Sequence, residues 1–289
     1  MYSNSACNAL LYATVKIHKP NNPIRPIVSF IDTPSYRLSQ FVSKILTPTS
    51  NLAPQKLKNS EDLINSLNNF EIPDDYSLVS FDVKQLYTSI PQDLALQSIS
   101  LAIDHDPNIN TRTSLDKDRI LKLCQLCFSA NIFQYDNKLF KQIKGLPMGS
   151  PVSVVIAELT MQNIESKMNI EKFNNNPVLF WKRYVDDIIA VIKTSDIQTF
   201  LQHINSINHN IQFTVEKEEN NNLPFLDINI TRLENKKLKF NVYRKPTATD
   251  RYLDYKSNNP ISHKKSTIST LQRRAYTICS NENDKISEL

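Results

Sequence analysis

The chain has 289 residues, 40% hydrophobic and 22% charged. That is enough to bury a substantial core, in one large domain or two small ones, and it is not the composition of a disordered chain. The net charge of +5 at pH 7 is a mild basic bias, compatible with a nucleic-acid partner without identifying one. No run of about 18 apolar residues occurs, so no membrane-spanning helix and no membrane partner are expected. The first ten residues lack the basic-then-apolar order of a secretory signal.

In chain order, residues 15–50 open with VKIHKPNNPIRPIVSF. Proline blocks regular pairing, so irregular segments and short strands are expected there. A helix is predicted from Ser60, with Glu61 and Asp62 in its first turn. Residues 76–83, YSLVSFDV, alternate apolar and polar and read as a strand. Pro91 opens a helix over 91–103. A second helix covers 115–130, with Ser114 as N-cap and Asp116 and Asp118 in its first turn. Residues 132–135 and 139–143 flank an Asp136-Asn137-Lys138 turn and read as a hairpin.

A helix is predicted over 151–168. Residues 178–193 form two apolar strands around Asp186 and Asp187. A helix at 197–208 and strands at 211–215, 225–231 and 238–243 follow, then a basic helix over 262–280 carrying His263, Lys264, Lys265, Arg273 and Arg274. The fold class is α+β. The central block, β-α-α-β-β-α-β-β-α-β, fits an antiparallel sheet backed by helices.

Four cysteines are present, and Cys124 and Cys127 form a CxxC three residues apart, on one helix face. No second pair completes a metal site, so two buried thiols are expected, with a zinc or redox pair as the alternative. Nothing calls for disulfides, and a reducing compartment fits. Glycine is scarce: average composition gives roughly 20, and this chain has two, Gly145 and Gly149, both in KGLPMGSP. Those backbone positions are read as places that exclude a side chain.

Asp82 closes the strand LVSFDV, and Asp186 and Asp187 sit between the apolar runs RYV and IIAVI. Adjacent carboxylates at a hairpin tip repel each other. A divalent cation compensates them, and magnesium accepts hard carboxylate oxygens while keeping sites for phosphate and water. Two such ions, roughly 4 Å apart, serve phosphoryl transfer. A solvated turn is the other reading of an Asp-Asp pair.

FDVKQLYTSIP, GLPMGSP and YVDD, in this order and at these separations, resemble the palm motifs of reverse transcriptases. KIHKP with RPIVS, LPFLDINI, VYRKPTATDRYL and SNNPISHKK resemble the Penelope-like retroelement branch, so the likeness runs from about residue 11 to about 275. The resemblance implies a right-hand polymerase, with partial fingers over 1–75, a palm with a ferredoxin-like antiparallel sheet over 76–245, and the start of a thumb over 246–289. Asp82, Asp186 and Asp187 would be catalytic metal ligands for two Mg2+ ions, with Mn2+ as substitute. Tyr87 would crowd a 2′-hydroxyl and so favour deoxynucleotides.

Gly145, Pro147 and Gly149 would line the turn under the template and incoming nucleotide. Lys16, Lys19 and Arg25 would hold the triphosphate. Tyr243, Arg244 and Lys245 would meet the primer end, and Lys264, Lys265, Arg273 and Arg274 the duplex backbone. RNA template, DNA primer and dNTPs are the implied partners, in the nucleus or cytoplasm. Lys217 is the nearest candidate to protonate leaving pyrophosphate. Ala13, Val15, Asn21, Val154 and Asn259 depart from the family pattern, none at a metal ligand. Two alternatives stand beside this reading: a catalytically impaired nucleic-acid-binding fragment, and an RNA-dependent RNA polymerase, against which Tyr87 argues.

Overall fold

The computed structural model describes residues 7–15, 21–170, 173, 177–249 and 251–289. In chain order the elements are β1 (Ala9–Val15), β2 (Ile24–Ser29), α1 (Tyr36–Ser50), α2 (Ser60–Leu67), β3 (Tyr76–Val83), α3 (Leu86–Ser89), α4 (Gln92–Asp104), α5 (Ile109–Arg112) and α6 (Lys117–Ser129). Then follow β4 (Ile132–Tyr135), β5 (Lys138–Lys141), α7 (Pro151–Lys167), β6 (Val178–Tyr184), β7 (Asp187–Lys193), α8 (Ile197–Ile207), β8 (Phe213–Lys217), β9 (Asn222–Phe225), β10 (Ile228–Arg232), β11 (Leu238–Val242), α9 (Ile261–Ile278) and α10 (Glu282–Glu288). The α+β class holds. No helix among the described residues is long and apolar enough to cross a membrane.

The chain divides into two compact units. The first comprises Met1–Pro54, Val83–Asn175 and Thr199–Thr214. Its centre is α7, which buries residues all round its axis, including Val152, Ile156, Leu159 and Ile164, and packs against α4 and α1. Inside that seam Asn163 donates to the Ser98 hydroxyl at 2.9 Å, which satisfies two buried polar groups at once. The unit's sheet has the order β2-β1-β4-β5. β1 runs antiparallel to β2 and parallel to β4. The β4–β5 hairpin was expected beside the palm strands. It pairs instead with the N-terminal strands, because Phe133 packs into a small core of Ala9, Val28 and Phe30.

Three local expectations in this unit change. α1 occupies the second half of the proline-rich stretch, where irregular segments and short strands were expected. Ser39, Val42, Ile45, Leu46 and Thr49 are buried at helical spacing, and Pro48 falls in the last turn, so the helix ends soon after the bond it breaks. The loop between β4 and β5 is the two-residue Asp136-Asn137, both at positive φ, so Lys138 belongs to β5. The N-cap of α6 is Asp116, whose carboxylate accepts from the Arg119 N–H at 2.8 Å; Ser114 is exposed outside the helix. Asp116→Ala is therefore expected to lower unfolding free energy by about 1 kcal/mol in a urea titration, with Ser114→Ala neutral.

Cys124 and Cys127 are buried on one face of α6. Burial, with the neighbouring Cys127 sulfur, pushes the Cys124 thiol up to about 12. Burial also raises Cys127, against a hydrogen bond from Ser39 that acts the other way. Cys279 is buried and Cys7 exposed. Maleimide at pH 7.5 is expected to label Cys7 alone in the native chain and all four thiols in denaturant, read by intact mass. Native labelling of Cys124 would contradict this burial.

The second unit comprises Gln55–Asp82, Asn176–Gln198 and Val215–Leu289. It contains most of the sheet β6-β7-β3-β8 and all of a smaller sheet, β11-β10-β9. Leu63, Leu67, Leu78, Val191, Phe225 and Ile228 belong to its core cluster. Residues 225–231, expected as one strand, turn at Leu226, which takes φ 54. β9 and β10 therefore pair with each other, Phe225 opposite Ile228. The basic helix expected over 262–280 is α9, and extended backbone at Cys279 and Asn281 separates it from α10.

Candidate active site

β3 and β7 are antiparallel, with Leu78 opposite Val191, Ser80 opposite Ile189 and Asp82 opposite Asp187. Residues two apart share a face of a strand. Leu78, Ile189 and Val191 are core residues, so this buried row ends in two carboxylates directly across from each other. Directly opposed side chains have Cβ atoms about 4.5–5.5 Å apart. Both aspartates are half-buried. The sequence separation between them is thus closed by strand register alone.

Asp186 sits in the two-residue loop of the β6–β7 hairpin, which closes with Tyr184 opposite Asp187. The other loop residue, Val185, takes φ 57. Two-residue hairpin loops need positive φ at this position to match strand twist. A β-branched residue there costs about 1–2 kcal/mol. Among the described residues, no three His, Cys, Asp or Glu side chains converge to hold a metal ion. The backbone fixes an opposed carboxylate pair with a third carboxylate beside it in the chain. All three supply hard oxygen donors at the end of a paired sheet, a donor set that suits magnesium.

In the first unit, GLPMG is fastened at both ends. A Cβ on Gly145 would stand 2.6 Å from the Thr88 Cα, and φ there is +78. The Leu146 N–H donates to the Tyr87 carbonyl at 2.6 Å. Tyr87 is half-buried on α3, so this loop braces the backbone of the tyrosine that the motif singles out. A Cβ on Gly149 would overlap the Val28 carbonyl, while the Val28 N–H donates to the Met148 carbonyl at 2.8 Å. Pro147 is buried. The two glycines are thus required by close approach of the loop to this chain's own backbone.

The basic residues differ in their surroundings. Lys16 and Lys19 lie outside the described residues. Arg25 is exposed on β2, opposite Thr14. Tyr243 is half-buried, and its N–H donates to the Asp227 carbonyl at 2.9 Å. Arg244 is exposed and pairs with Glu288 of α10 at 2.5 Å. Lys264 donates to the carbonyls of Tyr255 and Ser257, both at 2.6 Å, which closes the loop before α9. Arg273 stands 3.9 Å from Glu61, and Arg274 3.4 Å from Asp227. Lys245, Lys265 and Lys217 are exposed.

Residues 17–219 match the reverse transcriptase (RNA-dependent DNA polymerase) family, well over half of the chain. The chain belongs to that family. Among solved structures, the polymerase fold recurs in the apo telomerase of Candida tropicalis, which aligns over 96% of this chain and 54% of its own length, with TM-score 0.62 and 14% identity. The telomerase of Candida albicans in complex with a TWJ fragment of telomeric RNA aligns over 95% and 52%, with TM-score 0.59 and 12% identity. The BmCPV RNA-dependent RNA polymerase at elongation state aligns over 93% and 24%, with TM-score 0.61 and 13% identity. This reverse transcriptase chain spans about half the length of the telomerases it resembles. No curated protein matches it.

Residues 251–289 match the animal helix-turn-helix domain, a boundary the sequence reading missed. Within that span Asn281, the polar cap of α10, accepts from the Asp284 N–H at 2.8 Å and marks the start of its last helix. Arg183 was missed as well. It shares the buried phase of β6 with Trp181 and is fully buried. An arginine on the buried phase of a strand was the visible signal.

Proposed function

We propose that this reverse transcriptase-family chain is the RNA-directed DNA polymerase core of a Penelope-like retroelement. One observation carries the reading: strand register sets Asp82 opposite Asp187, with Asp186 next in the hairpin loop, inside the span that matches the family. The motifs VYRKPTATDRYL and SNNPISHKK support the Penelope-like branch, and the RNA-bound state of the Candida albicans telomerase supports an RNA partner.

In this reading Asp82, Asp186 and Asp187 would hold two magnesium ions. When bound, these supply charge compensation to the reacting phosphate oxygens. The chain's own carboxylates localise that positive charge, because the register leaves them little freedom. The primer 3′-oxygen forms a bond to the α-phosphorus of a dNTP, the bond to the bridging oxygen breaks, and pyrophosphate leaves with that electron pair. The proton of the 3′-hydroxyl passes to solvent. Tyr87, its backbone braced by Leu146, excludes the 2′-hydroxyl by bulk. Lys16, Lys19 and Arg25 would grip the triphosphate; Lys245 and Lys265 would meet the nucleic-acid backbone. Fingers, palm and thumb would follow the 1–75, 76–245 and 246–289 division, and the protein would act in the nucleus.

The test is primer extension by purified protein on an RNA template with a DNA primer, with and without magnesium. No magnesium-dependent extension would overturn the proposal. Tyr87→Ala is expected to raise ribonucleotide incorporation relative to dNTP at least about tenfold, the scale of one lost steric contact. Equal use of both nucleotides by the wild type would favour the RNA polymerase reading.

A further inference from the structure

We infer that Arg183 is a positioning residue, whose guanidinium holds the Val185 carbonyl and thereby aims the carboxylate of Asp186 beside the register-fixed Asp187. The inference rests on the function proposed above. Three observations meet at this residue.

Its side chain is fully buried, and its guanidinium donates to the Val185 carbonyl at 3.1 Å. Its backbone is clamped on both edges. On one side Arg183 pairs with Ile188 of β7. On the other its N–H donates to the Gln55 carbonyl at 2.8 Å, and its carbonyl accepts from the Leu57 N–H at 2.7 Å, in a parallel bridge centred on Lys56. The arginine is therefore a fixed post. The atom it holds belongs to Val185, which keeps a left-handed φ that β-branched residues avoid.

Strain of this kind persists only where the surroundings over-determine it. A charged donor on the strained peptide is such a surrounding. Val185 is followed directly by Asp186, so a turn that relaxes would swing that carboxylate, while the ladder holds Asp187 opposite Asp82. Arginine suits the task better than lysine, because its planar fork keeps several donors in fixed directions and its charge does not titrate away. Register places Arg183 on the sheet face opposite Asp82 and Asp187, since Arg183 pairs with Ile188 and Asp187 pairs with Tyr184. It acts through the turn, then, and not on substrate.

The test compares wild type, Arg183→Lys, Arg183→Gln and the double variant Arg183→Lys/Val185→Gly. Three readouts are taken: Mn2+ affinity by calorimetry without nucleic acid, the metal-free thermal midpoint, and kcat and KM for dNTP. Both single variants are expected to fold, to bind Mn2+ at least about tenfold more weakly and to lose at least about tenfold in kcat, with KM within about twofold. Glycine takes positive φ without help, so the double variant is expected to recover Mn2+ affinity and kcat.

A purely structural role predicts no such recovery. Failure of the double variant to recover, wild-type Mn2+ affinity in Arg183→Lys, or loss of folding in both single variants would each overturn the inference. Absence of Mn2+ binding and extension in the wild type itself would instead overturn the function on which it rests.

Discussion

Asp186→Ala is expected to abolish primer extension, with a loss of at least about 10³-fold in kcat, while its thermal midpoint in metal-free buffer stays within a few degrees of wild type. The two halves of this result have separate causes. Asp186 is a half-buried loop residue outside the ladder between β6 and β7, so its truncation removes no core packing. Losing one charge from a three-carboxylate set, however, would weaken the hold on the cations proposed to compensate charge in the transition state, and loss of a single stabilising group there costs about 10²–10³. A metal ligand belongs at or above the upper end of that range. Extension by this variant at the wild-type rate would remove the proposed role of the pair. Asp82→Asn offers a second route to the same point, because Asp82 faces Asp187 through register alone.

Gly149→Ala is expected to lower unfolding free energy by about 3–5 kcal/mol, seen as a shift of the urea midpoint. Backbone strain contributes about 1–3 kcal/mol, because φ is +126. Overpacking contributes a similar amount, because the added Cβ would overlap the Val28 carbonyl and lie 3.0 Å from its carbon. Neither atom can yield easily. Val28 is buried and its N–H is already bonded to the Met148 carbonyl. A domain holds only about 5–15 kcal/mol in total, so this variant is expected to accumulate poorly. A midpoint unchanged by the substitution would show that the loop sits differently against β2. Gly145→Ala belongs to the same class, with three Thr88 backbone atoms between 2.6 and 2.9 Å from the added carbon.

The elements nearest the chemistry were legible in the sequence because their patterns are local. YSLVSFDV alternates and is β3 to the residue; the apolar runs around YVDD are β6 and β7. The scarcity of glycine pointed correctly to two backbone positions that exclude a side chain, and the close approaches seen there are to the backbone of Thr88 and Val28. What the sequence concealed depends on distant partners. The β4–β5 hairpin has no local mark that sends it to β1, since that choice is made by Phe133 reaching Ala9 and Val28. Nor does any neighbour of Arg183 announce that residues 55–57 will bracket it. α1 was hidden for another reason. Proline density over 15–50 drew attention away from a helical period that is present in residues 39–49.

Each compact unit is assembled from three separated stretches of chain, the first of them completed only at Thr214. During synthesis, β1 and β2 emerge early and can pair with each other, but β4 follows more than a hundred residues later. At about 5–20 residues per second, this leaves the edge of β1 bare on the ribosome for roughly 5–20 s. Leu10, Tyr12 and Val15 are exposed even in the finished strand, so an apolar edge awaits its partner through that interval. Yield of soluble protein should therefore respond to translation speed and to chaperone supply upstream of residue 132. No single break in the polypeptide can release either unit whole, so the two are inherited, made and lost together.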